Sequence, residues 1–176
     1  WPMARRDWRA CGSTRDAATS AWRAPAGARG QGGYVDGPGR NCAGGAGIVA
    51  TAHDAARFLD MLRNHGELDG VRYLAPKTVD LMTTNQSGTL YATPGEGFGL
   101  GFQTVERLGA NGMASVGTFS WGGAYGSTYL VDPAEGLVLV FMINQVPNRS
   151  DVPATFQTLV YQALVKSLAG ADRVQR

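Results

Sequence analysis

From residue 51 onward the apolar positions fall into regular periods. Ala55, Phe58, Leu59 and Leu62 recur at i, i+3, i+4 and i+7, the spacing that lays one stripe along one face of a helix. Thr51 with Asp54 three residues on matches a capping box at its start, and Gly66 stands where a C-cap glycine belongs. ELDGVRYL sets an Asp-Gly turn between two short apolar pieces, which predicts a small hairpin. Pro76 opens a second short helix through about Met82, because proline suits the first helical turn. In GFGLGFQTV, Phe98, Leu100, Phe102 and Thr104 alternate with Gly99 and Gly101, predicting one strand that lets a neighbour pack closely against its backbone. MASVGTFSW, GSTYLV and GLVLVFMIN are β-branched and aromatic-rich runs separated by turn signals, DPAEG being the clearest. GLVLVFMIN is apolar on both faces, so it is predicted to be a central strand. Asp151 then caps a closing helix with Phe156, Leu159, Val160, Ala163 and Leu164 on its apolar stripe and Gly170 after it. Helices, a meander and a terminal helix predict an α+β fold, an antiparallel sheet flanked by helices.

Composition changes the picture upstream. Residues 1–40 contain no Leu, Ile or Phe, one Val and one Met, and are dominated by Arg, Ala and Gly. Such a stretch cannot bury enough surface to offset its chain entropy, so residues 1–32 are expected to be a disordered arm, 33–170 the folded part and 171–176 a tail. Residues 1–40 hold seven Arg against three Asp, +4, and the whole chain carries +2, which leaves −2 for residues 41–176. The body therefore has no charge basis for nucleic-acid binding, and Asp7, Asp16 and Asp36 interrupt the basic residues of positions 1–40. No run approaches the roughly 18 apolar residues of a membrane helix, and no signal-peptide pattern leads from Trp1. Neither nucleic acid nor membrane is expected as a partner, and nothing fixes a compartment. Cys11 and Cys42 are too few for a disulfide framework and lack metal-ligand spacing.

GTFSWGGAYGS is the stretch with chemistry in it, because it looks like a G-x-S-x-G nucleophile elbow. Thr118 stands where that motif needs its first glycine, and Ser120 ends one strand before another strand, not before a helix. Ser120 therefore reads as a strand hydroxyl. His53 and His65 lie twelve apart without a carboxylate or Cys partner, so no metal is expected there. Lys77-Thr78 is followed by Val79 and reads as a surface lysine at a helix start, while Tyr34 reads as a loop aromatic.

The string GGAGIVATAHDAARFLDMLRNHGELDGVRYLAPKTVDLMTTNQ, then GFGLGF, then SWGGAYGSTYLVDPAEGLVLVFMINQ, resembles the C-terminal part of the serine β-lactamase-like family that includes class C β-lactamases, penicillin-binding proteins and related esterases. The likeness runs from about Gly33 to Val165. It implies a serine hydrolase that forms an acyl-enzyme, needs no cofactor and acts on a small ester or lactam. In that family a Ser-x-x-Lys helix carries the nucleophile, a Y-x-N loop a tyrosine, and a strand the third motif, which Trp121-Gly122-Gly123 resembles here. By the same resemblance Ala124 gives a backbone N–H to the oxyanion hole, and Tyr125 joins Trp121, Gly122 and Gly123 in the substrate-binding set. A donor fixed at a strand end can stabilise the tetrahedral oxyanion without reorganising. Tryptophan at the head of the motif favours an esterase.

None of the eight serines has Lys three residues later, and no Y-x-N occurs. Ser13 and Ser20 are followed at that position by Asp16 and Arg23, and arginine stays charged and cannot serve as base. The chain is therefore expected to be a partial domain, the third-motif half of the hydrolase, inactive alone and reliant on a complementing segment or a second copy. Its apolar surface is then expected to be partly exposed. The alternatives are a non-catalytic fragment that binds acyl ligands or a protein partner through exposed sheet, and a nucleic-acid-associated protein using the Arg-rich arm.

Overall fold

A computed structural model describes residues 50–91, 93–145 and 150–168. The arm, Cys11, Cys42, Tyr34, Gly170 and the tail lie outside the described residues. Helix α1 spans Ala52–Arg63, and the capping box is complete: Thr51 Oγ1 accepts the Asp54 N–H while the Asp54 carboxylate accepts the Thr51 N–H. The Thr51 hydroxyl, which donates to Asp54 Oδ2 at 2.7 Å, and then the Thr51 N–H hold the Asp54 carboxyl below the usual carboxylate range. At the other end the His65 N–H reaches the Leu62 carbonyl at 3.0 Å and the Gly66 N–H reaches Met61 at 2.8 Å. This is a Schellman motif whose left-handed residue is His65, at φ 52°, with Gly66 one position later than expected. Gly66 answers a second demand, since a Cβ there would lie 2.2 Å from the Leu74 carbonyl oxygen.

Strands β1 (Glu67–Leu68) and β2 (Val71–Arg72) form the expected hairpin, with positive φ at both Asp69 and Gly70 of its turn. Arg57 of α1 pairs with Asp69 and ties the hairpin to the helix. Helix α2 runs Pro76–Thr83. GFGLGFQTV is not one strand: β3 (Glu96–Phe98) turns at Gly99–Phe102 into β4 (Gln103–Val105), and the pair is antiparallel. The glycine signal meant close approach, as read, but Gly101 at φ 95° also permits the reversal. The strand expected over MASVGTFSW is shorter too, because a turn closed by the Thr118 N–H on the Ser115 carbonyl delays β5 to Phe119–Gly122.

β6 (Gly126–Asp132) and β7 (Leu137–Asn144) complete an antiparallel sheet of order β3-β4-β5-β6-β7. β7 is thus an edge strand among the described residues, not a central one. Its apolarity on both faces has another cause, which is cover from two sides. Val138 packs with Val131 and Phe119 against Leu59 and Leu62 of α1, and Phe141 meets Phe156 of helix α3 (Val152–Gln162) at 5.5 Å. Asp151 stands at the N-cap of α3 without a side-chain cap bond, and the Val152 N–H is taken by Ser150 Oγ instead. Tyr161 is the buried residue of α3, whereas Leu159 of the expected stripe is 58% exposed.

On the α3 side, Leu130, Leu139 and Val105 pack toward Tyr161. The Tyr161 hydroxyl donates to Asp132 Oδ2 at 2.7 Å, and that carboxylate also accepts the Ser115 and Glu135 N–H groups, both at 3.1 Å. Burial, and then the Asp132 bond, push the Tyr161 hydroxyl well above the ordinary tyrosine range, and burial pushes Tyr129 up to about 12. Above pH 10.0 the unfolded tyrosines lose protons that the folded ones keep, so stability falls as pH rises from there. Urea midpoints measured from pH 10.0 to about 12 should decline, and decline less in Tyr161→Phe. A flat profile in the parent chain would remove this account.

Candidate functional site

Two glycines decide the geometry at the end of β5. Gly122 pairs with Thr128, and a Cβ on it would press to 3.3 Å on the Thr128 methyl. The Gly123 N–H then donates to the Ser127 carbonyl at 2.8 Å, and the Gly126 N–H closes a four-residue turn on the Gly123 carbonyl at 2.9 Å. Gly126 sits at φ 89°. Ala124 occupies the second position of this turn, where its own N–H takes no part in closure. Among the described residues no hydrogen bond uses the Ala124 N–H, and the residue is exposed. Tyr125 is half-buried, and its carbonyl accepts the Gln145 N–H at 3.0 Å, which braces the turn against the end of β7.

Trp121 precedes the glycines and is 43% exposed. Its ring meets Phe98 edge-on, at 4.8 Å between centroids and 82° between planes, and Phe98 in turn meets Tyr91 at 5.7 Å. The structure thus brings Trp121, Gly122, Gly123, Ala124 and Tyr125 together as one strand end and its turn. Phe98 and Tyr91 carry no sequence signal as neighbours of Trp121. Their contact depends on β4 folding back between β3 and β5.

Ser120 faces a cleft of about 290 Å³ between the sheet and α3, with Gln103, Thr128, Phe141, Phe156 and Gln157 around it. Among the described residues the one titratable group lining that cleft is Tyr129, whose burial raises its pKa, so none of them there can take a proton from Ser120 near neutral pH. Ser127 is engaged differently: its Oγ donates to the Ile143 carbonyl at 2.8 Å and accepts the Ile143 N–H at 3.0 Å. It replaces a ladder bond where the β6–β7 register shifts between Gly126 and Thr128. His53 is exposed on α1, and His65 Nδ1 lies 3.8 Å from Asp80, which also pairs with the exposed Lys77 at 3.0 Å. Among the described residues no three His, Cys, Asp or Glu side chains gather in reach of one metal ion, and no helix is long and apolar enough to cross a membrane.

An antiparallel sheet with helices on both faces, and a Trp-Gly-Gly-Ala strand end exposed beside it, define part of an α+β domain. The chain belongs to the Beta-lactamase family, whose model matches residues 3–163. It is 37% identical over 122 residues to protein Rv1367c of Mycobacterium tuberculosis, a match covering 62% of this chain and 30% of that protein. With Esterase EstB of Burkholderia gladioli it shares 31% identity over 122 residues, 67% of this chain and 30% of EstB. Among solved structures it is similar to EstCE1, described as a hydrolase with promiscuous acyltransferase activity, with a TM-score of 0.59 at 31% identity over 67% of this chain and 31% of EstCE1. The chain therefore spans about 30% of the length of the curated relatives it matches.

Proposed function

We propose that this chain is the third-motif half of a β-lactamase-related serine hydrolase that works on esters or on amides such as a β-lactam through an acyl-enzyme. The reading rests on the Ala124 N–H, which belongs to an exposed residue and takes part in no hydrogen bond among the described residues, in the turn directly after Trp121-Gly122-Gly123. That N–H receives the oxyanion as a serine Oγ adds to the substrate carbonyl, and the Trp121 ring lies along the acyl group. The C–O bond to serine forms, the serine proton passes to the lysine of its Ser-x-x-Lys, and the alcohol or amine leaves with a proton. Water then attacks the acyl-serine and releases the acid. Serine and lysine come from a complementing segment, since no Ser-x-x-Lys occurs in these 176 residues. The relatives support the hydrolase class, and the tryptophan favours ester over lactam.

Intact mass after treatment with a serine-directed fluorophosphonate tests the division of labour. The expected result is no mass gain on this chain alone, and a stoichiometric adduct on the serine of an added segment bearing Ser-x-x-Lys, with hydrolysis of a chromogenic ester appearing in the untreated mixture and lost on labelling. A stoichiometric adduct on Ser120 or Ser127 would sink the proposal, because the nucleophile would then be in this chain.

A further inference from the structure

We infer that Phe98 is a positioning residue for Trp121, and that the ring row Trp121, Phe98 and Tyr91 selects uncharged, apolar acyl groups at the site proposed above, a choice of substrate that rests on that reading. Phe98 ends β3, and its backbone is gripped from both sides by the segment after α2. Its N–H points at Ser87 Oγ, 3.2 Å away, and Asn85 Oδ1, 3.4 Å away, while its carbonyl accepts the Gln86 and Ser87 N–H groups at 2.8 and 3.1 Å. The flanking glycines make this grip possible. A Cβ on Gly97 would lie 2.3 Å from the Asn85 side chain, and one on Gly99 would lie 2.2 Å from the Met82 carbonyl oxygen. G-F-G thus admits backbone and amide groups close enough to fix Phe98.

A fixed Phe98 then fixes the indole. The edge-on contact at 4.8 Å holds one orientation of a ring that is otherwise 43% exposed at the head of the motif. An indole held before binding loses less freedom when an acyl group covers it. Tyr91 extends the row at 5.7 Å, and none of the three side chains is a lysine, arginine or histidine that could pair with an anion. An anionic acyl chain laid on them would shed water and gain no partner, whereas a phenyl or alkyl chain gains contact area.

The test uses the 176-residue chain labelled with ¹⁵N, with the Trp121 indole resonance identified by its loss in Trp121→Phe. Phenylacetamide is the apolar probe and succinamate the charged one. Phenylacetamide should shift the Trp121 indole and the Ala124 amide saturably, and succinamate neither. Phe98→Leu should move the Trp121 indole resonance of the free protein and weaken phenylacetamide about threefold or more, and Phe98→Tyr should restore both. Should Phe98→Leu not fold, Tyr91→Leu at the far end of the row should weaken the probe without disturbing β3. An unmoved Trp121 resonance in folded Phe98→Leu, equal shifts with both probes, or unchanged affinity in Tyr91→Leu would overturn the inference. None of these signals needs turnover. A moved indole in a chain that stays inactive with a Ser-x-x-Lys segment removes the proposed function and leaves the positioning of Trp121 standing.

Discussion

Replacing Asp132 with alanine is expected to cost about 3 kcal/mol of stability, because three donors lose their acceptor at once. The carboxylate is fully buried and takes the Tyr161 hydroxyl on one oxygen together with the Ser115 N–H, and the Glu135 N–H on the other. The Tyr161 hydroxyl is left with the buried Thr118 hydroxyl beside it in place of a carboxylate and bears most of the penalty, whereas the two N–H groups belong to half-buried residues that water reaches in part. Asp132→Asn keeps one carbonyl acceptor and should lose less. Tyr161→Phe leaves the carboxylate with both N–H donors and should lose about 1 kcal/mol. Urea unfolding of the three variants gives the ranking. A loss below about 1 kcal/mol in Asp132→Ala would mean that these bonds do not hold α3 to the sheet.

Ala124→Pro should reduce turnover of the complemented enzyme about 10² to 10³-fold, the usual loss when one oxyanion donor is removed. The substitution deletes a single N–H, and that N–H closes no bond among the described residues. Proline is favoured at the second position of a β-turn, so the Gly123 to Ser127 and Gly126 to Gly123 bonds around it should persist. The expected signature is a fall in kcat and in kcat/KM by similar factors, with the thermal midpoint unchanged. Ala124→Gly keeps the donor and should keep the rate. Equal activity in Ala124→Pro and the parent would take the oxyanion role away from this turn.

How far the sequence could be read depended on how local each cause is. The capping box of α1, the Asp-Gly hairpin and the start of α2 at Pro76 are set within a few residues and lay where the pattern put them. GFGLGFQTV misled because alternation cannot tell a strand from a hairpin whose turn also carries glycine. The position of β7 at the edge among the described residues was hidden for a related reason: two apolar faces report cover from α1 and α3, not a partner on each side. At the candidate site, Trp121-Gly122-Gly123 and Ala124 were legible as a motif, while the aromatic neighbours of Trp121 were not.

By itself the sequence determined the α+β class, most element positions and the absence of Ser-x-x-Lys, since each follows from residue type and short-range spacing. The tertiary structure decided what lies 20 to 30 residues apart. It set Phe98 against Trp121, separated by 23 positions, and gave Asp132 of the DPAEG turn a second task on Tyr161, 29 positions away. Such contacts follow from strand order and helix docking, which minimise exposed surface and unpaired polar groups over the whole chain and leave no mark in any local window.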